Sequence, residues 1–176
     1  MKFIFIIWLS GLLCIQPAMA ERADRKKPLY LEADRATVED VNRKEATRVS
    51  IFTGNVILTQ GTMRISADKV IMKEDLNGFK QATAIGDLVS FRQKRDGLDE
   101  YVEGWSQRVE YDSKTDKIEL FRQARLKRGF DEVHGDYISY DMNTEFFKVI
   151  GSKERGDLTG PDKRVRITIQ PKDKSE

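Results

Sequence analysis

The sequence predicts an all-β protein of stacked β-hairpins, with two twisted antiparallel sheets facing each other. Three observations predict it. Past position 20 the apolar residues mostly alternate, and no stretch shows a convincing three-to-four helical spacing. Turn signals interrupt these runs about every ten residues. Short blocks also recur: Ala67-Asp-Lys-Val-Ile-Met72 echoes Ala33-Asp-Arg-Ala-Thr-Val38, with looser copies at Ser106-Gln-Arg-Val-Glu-Tyr111 and Gly135-Asp-Tyr-Ile-Ser-Tyr140. Between them lies a second set: Thr53-Gly-Asn-Val56, Ile85-Gly-Asp-Leu88, Arg122-Gln-Ala-Arg-Leu126 and Val149-Ile-Gly151. Blocks starting roughly 30–40 residues apart mark one supersecondary unit stacked several times.

Residues 1–20 read as a signal peptide. Lys2 gives a basic start, Phe3 to Ile15 is an apolar run, and Ala18-Met-Ala20 is a small-x-small cleavage site. Cleavage is expected after Ala20, with export to the periplasm. An uncleaved anchor is the alternative, but the run is short for a bilayer span. A lipoprotein processed at Cys14 is a third, but Leu12 and Leu13 are bulky where that processing needs small residues. Cys14 is the only cysteine, so the exported chain is expected to fold without disulfides.

The remaining roughly 150 residues suffice for one domain with a real core. Residues 21–27 read as an N-terminal arm, 28–170 as the domain and 171–176 as a disordered tail. Leu29-Tyr-Leu31 opens the first strand. Val41 to Thr47 is polar and reads as a turn. Strands are expected over Val49 to Gln60, from Met63 onward, over Ala82 to Phe91, Tyr101 to Trp105, Arg108 to Tyr111, Lys117 to Lys127, Tyr137 to Tyr140 and Phe146 to Ile150. Gly61-Thr62, Glu74 to Gly78, Lys94 to Gly97, Asp112 to Asp116, Arg128 to Asp131 and Asp141 to Thr144 are the connecting turns. In Arg164 to Gln170, Val165, Ile167 and Ile169 alternate with polar residues and read as a final strand. Closing such a stack into a barrel would remove its edges. Unequal repeat lengths and the lone last strand favour the open form.

The chain carries 31 Lys and Arg against 29 Asp and Glu, finely mixed. That balance does not suggest a nucleic-acid binder. Catalytic chemistry is not evident. His134 is the only histidine and reads as a solvated side chain beside a turn. There is no His pair, no cysteine ligand set and no carboxylate loop with calcium spacing. The Gly-Asn and Gly-Asp steps precede no helix, so they are not phosphate loops. Acidic neighbours such as Asp99 and Glu100 read as solvated faces. No enzyme activity, metal or cofactor is expected.

Residues 28–151 resemble the lipopolysaccharide-transport bridge proteins of the organic-solvent-tolerance-like (OstA-like) family of Gram-negative envelopes. Pro28-Leu-Tyr-Leu-Glu-Ala-Asp34, Phe52-Thr-Gly-Asn-Val-Ile-Leu-Thr-Gln-Gly61 and Ala67-Asp-Lys-Val70 carry the resemblance. The segment between Asp34 and Phe52 departs from it, being longer and more charged. The resemblance implies an open β-jellyroll whose apolar groove holds lipid A acyl chains. It also implies inner- and outer-membrane transport components as partners, and domains joined end to end through edge strands. Positions matching the family's lipid contacts are Leu29, Leu31, Phe91 and Tyr111.

The alternating apolar positions extend that set. The groove is expected to be lined by Leu29, Leu31, Val56, Leu58, Val70, Met72, Val89, Phe91, Val109, Tyr111, Leu120, Ile138 and Tyr140. Alternation alone does not separate groove from ordinary core. Head-to-tail association is expected through Leu29, Tyr30 and Leu31 at one edge and Val165, Ile167 and Ile169 at the other. Burying an acyl chain of about twelve carbons contributes around 10 kcal/mol, so a groove of this kind suits such cargo. A structural or polysaccharide-binding β-repeat module is the competing reading, kept open by Trp105, Phe146 and Phe147.

Overall fold

The computed structural model describes residues 24, 27–42, 47–152 and 164–170. The expected leader and its expected cleavage site, Cys14 and the expected tail at 171–176 lie outside them. The described residues form ten strands: β1 (Leu29–Glu32), β2 (Arg35–Asn42), β3 (Thr47–Gln60), β4 (Met63–Asp75), β5 (Gly78–Lys94), β6 (Tyr101–Asp112), β7 (Lys117–Arg128), β8 (Asp131–Asp141), β9 (Phe147–Ile150) and β10 (Arg166–Thr168). All pairings are antiparallel. No described helix is long and apolar enough to cross a membrane.

Hydrogen bonding is continuous from β1 through β3, β4, β5, β6, β7 and β8 to β10, with β2 also on β3 and β9 also on β8. The two facing layers are therefore the two halves of one sheet. A line of register breaks divides them, at Thr53/Val56, Ser66/Lys69, Ile85/Val89, Trp105/Arg108 and Phe121/Ala124. Such bulges bend a strand and raise its local twist. Aligned across six strands, they make a crease. The first layer holds β1, β10 and residues 56–60, 63–67, 89–94, 101–106, 124–128 and 131–135. The second holds β2, β9 and residues 47–53, 69–75, 78–85, 108–112, 117–121 and 137–141. Edge strands β1/β2 close one side of the stack and β9/β10 the other.

The repeated sequence blocks turn out to be the chemistry of this crease. Ala33-Asp34, Ala67-Asp68, Ser106-Gln107 and Gly135-Asp136 sit on it in every second strand. Gly54-Asn55, Gly86-Asp87 and Arg122-Gln123 sit on it in those between. Gly54 and Asn55 have φ of 81° and 46°, and Arg122 and Gln123 of 63° and 50°. Left-handed backbone favours Gly and Asn, which explains the first pair. The acidic residue then ties adjacent corners together. Asn55 Nδ2 donates to Asp34 Oδ2 at 2.9 Å, the Asp34 amide donates to the Gly54 carbonyl at 2.9 Å, and the Asp87 amide donates to Asp68 Oδ2 at 3.2 Å. Ser106, 1% exposed, turns its hydroxyl onto the Arg108 carbonyl at 2.8 Å.

The bulges also govern which residues face inward. In β4 the inward set changes from Met63, Ile65 and Ala67 to Val70 and Met72. In β6 it changes from Val102 and Gly104 to Val109 and Tyr111. A strict two-residue alternation would carry half of each strand to solvent. Shifting the alternation at the crease keeps both halves directed into one interior.

The N-terminal arm is docked where it is described. Asp24 is buried and accepts from the Thr62 amide at 2.7 Å and its hydroxyl at 2.5 Å. Gln60 Nε2 donates to the Lys27 carbonyl at 3.2 Å. These bonds hold Asp24 and Lys27 over the Gly61-Thr62 turn.

Candidate functional site

The space between the layers is the candidate site. Eleven of the expected lining residues lie in one buried apolar cluster: Val56, Leu58, Val70, Met72, Val89, Phe91, Val109, Tyr111, Leu120, Ile138 and Tyr140. A one-sided sheet would leave its inner face wet. Here Val56, Leu58, Val70, Leu120 and Ile138 are fully covered, because the layers cover each other. Gly104 marks how closely they approach. A Cβ there would lie 2.7 Å from Leu120 Cδ2 of the opposite layer and 3.4 Å from Phe91 Cδ1.

Cover thins toward both edge strands. Leu29, Leu31, Ala33 and Phe52 at one end, and Met142, Phe147 and Val149 at the other, pack on the cluster but are only partly buried. The apolar interior thus runs through the stack and emerges half-covered at each end. Leu29 and Leu31 face it, while Tyr30 between them points outward, 62% exposed.

At the far end of the chain, β10 pairs with β8 over three residues only, Arg166 to Thr168. Val165, Ile167 and Ile169 stay exposed, and none of them joins the cluster. The sequence pattern implied a longer strand with one buried face. Among the described strands, β1 pairs only with β3 and β10 only with β8.

Opposite the crease, the turns of the two layers that carry Arg95 and Glu145 meet at a seam closed by one ionic cluster. Arg95, after β5 in the first layer, grips Glu145, before β9 in the second, with Nε–Oε1 at 3.0 Å and Nη2–Oε2 at 2.6 Å. Arg95 Nη1 also reaches Glu100 Oε2 at 2.6 Å. Arg128 donates to the Glu145 carbonyl at 3.4 Å and lies 5.4 Å over the Phe147 ring. The hydrogen bond from Arg95 holds the Glu145 carboxyl below its ordinary range against the opposing effect of burial. Burial, followed by the charge of Glu145, pushes the nearby Tyr140 hydroxyl up. The Arg95–Glu145 pair, whose members lie 50 residues apart, was not visible from sequence pattern.

The outer face is polar. Arg92 covers Tyr101 at 3.7 Å, Arg108 covers Phe121 at 4.0 Å and Arg125 covers Trp105 at 4.6 Å. His134 is exposed and meets Glu132 at 2.6 Å, which Arg125 also holds at 2.7 Å. The Arg125 hydrogen bond keeps Glu132 below its usual range, against burial and with help from His134. Among the described residues no cluster of His, Cys, Asp or Glu could hold a metal ion. The aromatic residues that would serve a sugar-binding face are mostly capped: Trp105 by Arg125 and Phe147 by Arg128. Phe146 is 69% exposed.

Fold and site define a class of protein: an open antiparallel β-jellyroll, creased along its middle, around a through-running aliphatic interior. The family described as LptA/(LptD N-terminal domain) LPS transport protein matches residues 30–146. The chain belongs to this family. It is 26% identical to the lipopolysaccharide export system protein LptH of Pseudomonas aeruginosa over 172 residues, covering 97% of this chain and 95% of that protein. It is 29% identical to the lipopolysaccharide export system protein LptA of Escherichia coli K12 over 175 residues, covering 94% of this chain and 84% of that protein. The crystal structure of LptH from Pseudomonas aeruginosa, titled the LptA homologous periplasmic component of a lipopolysaccharide transport device, superposes with a TM-score of 0.73. That match has 24% identity and covers 85% of this chain and 99% of the other.

Proposed function

We propose that this protein is a periplasmic carrier that holds the acyl chains of lipopolysaccharide between its two layers and bridges the inner and outer membranes. The observation that carries the reading is the interior emerging half-covered at both edge strands. A core that served stability alone would be sealed at its ends. Stacking copies edge to edge joins one interior to the next, and lipid then passes along without meeting water. Family membership and the similarity to the lipopolysaccharide export system proteins LptA and LptH agree with this. The partners are the inner- and outer-membrane components of the same machinery, and the chain reaches the periplasm by cleavage after Ala20. Catalysis has no part in the proposal: moving lipid along a continuous apolar path changes no covalent bond.

The lining residues cover one another fully at the centre, so acyl chains enter only as the layers part. The crease is tied by Asp34 and Asp68, which leaves the turn side as the place of parting. Mass spectrometry of lipid co-purified with the protein from periplasm tests the reading. Stoichiometric acylated phosphoglycolipid is the expected result. Purification with polysaccharide and no lipid would replace this reading with the sugar-binding one.

A further inference from the structure

The Arg95–Glu145 cluster has a composition that plain closure does not require. It holds two guanidinium groups and two carboxylates: Arg95 pairs with both Glu145 and Glu100, and Arg128 donates to the Glu145 carbonyl. Arg95 is well covered, with 18% of its side chain exposed, and Glu145 has 27%. Directly inward lies Tyr140, 3% exposed and part of the apolar cluster. The cluster therefore sits at the boundary between interior and solvent. An amphiphile with its chains inside would place its headgroup there.

The backbone adds a second observation. Glu145 has φ of 56°, in the left-handed region that a β-carbon disfavours. The turn holds its carboxylate under Arg95 from a strained residue, and such strain concentrates at switching and clamping sites. A phosphate monoester offers a guanidinium the same two-point geometry as a carboxylate, with more charge.

We infer that Arg95, seconded by Arg128, is a phosphate-headgroup site that Glu145 occupies until an acylated phospho-amphiphile exchanges for it, opening the seam. The inference rests on the carrier reading and names the residues that select a lipid by its headgroup. Glu145 is a stand-in anion as well as a clasp. Its departure unties the layers at the moment the phosphate replaces it, so loading and opening are one event. Glu100 remains on Arg95 in both states and keeps the guanidinium aimed.

The test compares two lipids with identical chains, phosphatidic acid and diacylglycerol, binding to the full-length mature protein. Wild type should prefer phosphatidic acid by about tenfold, the scale of one charge-assisted hydrogen-bonded pair. Arg95→Gln should abolish the preference and leave diacylglycerol binding in place. Glu145→Gln should move the other way and strengthen phosphatidic acid, because the competing anion is gone; a merely unfolded variant cannot do this. Inorganic phosphate alone should displace little, since it lacks the chains. Displacement of phosphatidic acid by millimolar phosphate would show a free-anion site and overturn the headgroup assignment. Equal binding of both lipids by wild type would overturn the inference while leaving the carrier reading intact. Binding of neither lipid would remove the carrier reading and the inference with it.

Discussion

Replacing Gly54 by alanine tests the crease, because it combines two separable costs. Gly54 has φ of 81°, so a β-carbon there costs about 1–2 kcal/mol in backbone strain. That carbon would also overlap the Asp34 carboxylate, with Asp34 Cβ and Cγ both 2.9 Å away. Moving the carboxylate breaks its hydrogen bond with Asn55, a loss of about 1 kcal/mol. The restricted unfolded chain returns about 0.4–1 kcal/mol. The net loss is about 2 kcal/mol, or roughly 4–8 °C in melting temperature for a domain of this size. Gly78 supplies the comparison. Its φ is 100° and nothing lies within 4 Å of an added Cβ, so Gly78→Ala carries only the backbone cost, about 1 kcal/mol net. A thermal double-mutant cycle with Asp34→Ala isolates the contact. In that background Gly54→Ala should cost about 1 kcal/mol less than in wild type. An unchanged cost would show that Asp34 does not tie the corner and refute the crease chemistry.

Other consequences are measurable. Phe91→Ala should destabilise the fold by about 3–5 kcal/mol in denaturant titration, because the ring is 1% exposed between the layers. The Glu145 carboxyl titrates below its unfolded value, so its contribution is present above the ordinary Glu range and disappears as pH falls through the depressed folded value. Asp112, where burial is opposed by the combined hydrogen bonds of Thr115, Lys114 and Gln81, and Asp141, held by the Thr144 amide against burial, also lie below their ordinary range and act in the same direction. Melting from pH 7 to 3 should therefore show a steep acid loss in wild type and a shallower one in Glu145→Gln. Deleting residues 164–176 should lower the concentration-dependent mass in sedimentation while preserving the β-type circular dichroism, if β10 is a joining edge. A truncated chain that assembles like wild type would locate the junction elsewhere.

Much of the fold was legible because burial writes itself into alternation. Strands β3 and β7, paired on both sides, showed it plainly, and the Gly61-Thr62 and Asp112 to Asp116 turns fell where their residue types placed them. Strand β2 was missed for a physical reason. It is an edge strand whose Arg35, Thr37, Val38 and Glu39 side chains are exposed, so nothing forced an apolar face upon it. Strand β10 failed the other way: its alternation was clear, yet only three residues pair. Tyr101 to Trp105 and Arg108 to Tyr111 looked like two strands because the bulge between them shifts the alternation; they are one strand, β6. The repeats were visible, but their meaning was geometric: they mark corners, not hairpin starts. Eleven of the thirteen positions expected to line a groove fell in the buried cluster, with Leu29 and Leu31 at its margin. The Arg95–Glu145 clasp left no trace in the sequence, since ion pairs between distant turns have no period.

The central claim is that the space between the layers is a lipid path. Site-specific photo-crosslinking in living cells tests it most directly, with the crosslinker at Leu31, Phe91 or Tyr111 and at Arg92 as control. Phe91 points into the interior at 1% exposure, while its neighbour Arg92 lies outward over Tyr101. Lipopolysaccharide should be captured at the three interior positions and not at Arg92. Equal capture at Phe91 and Arg92, or capture at Arg92 alone, would contradict the account.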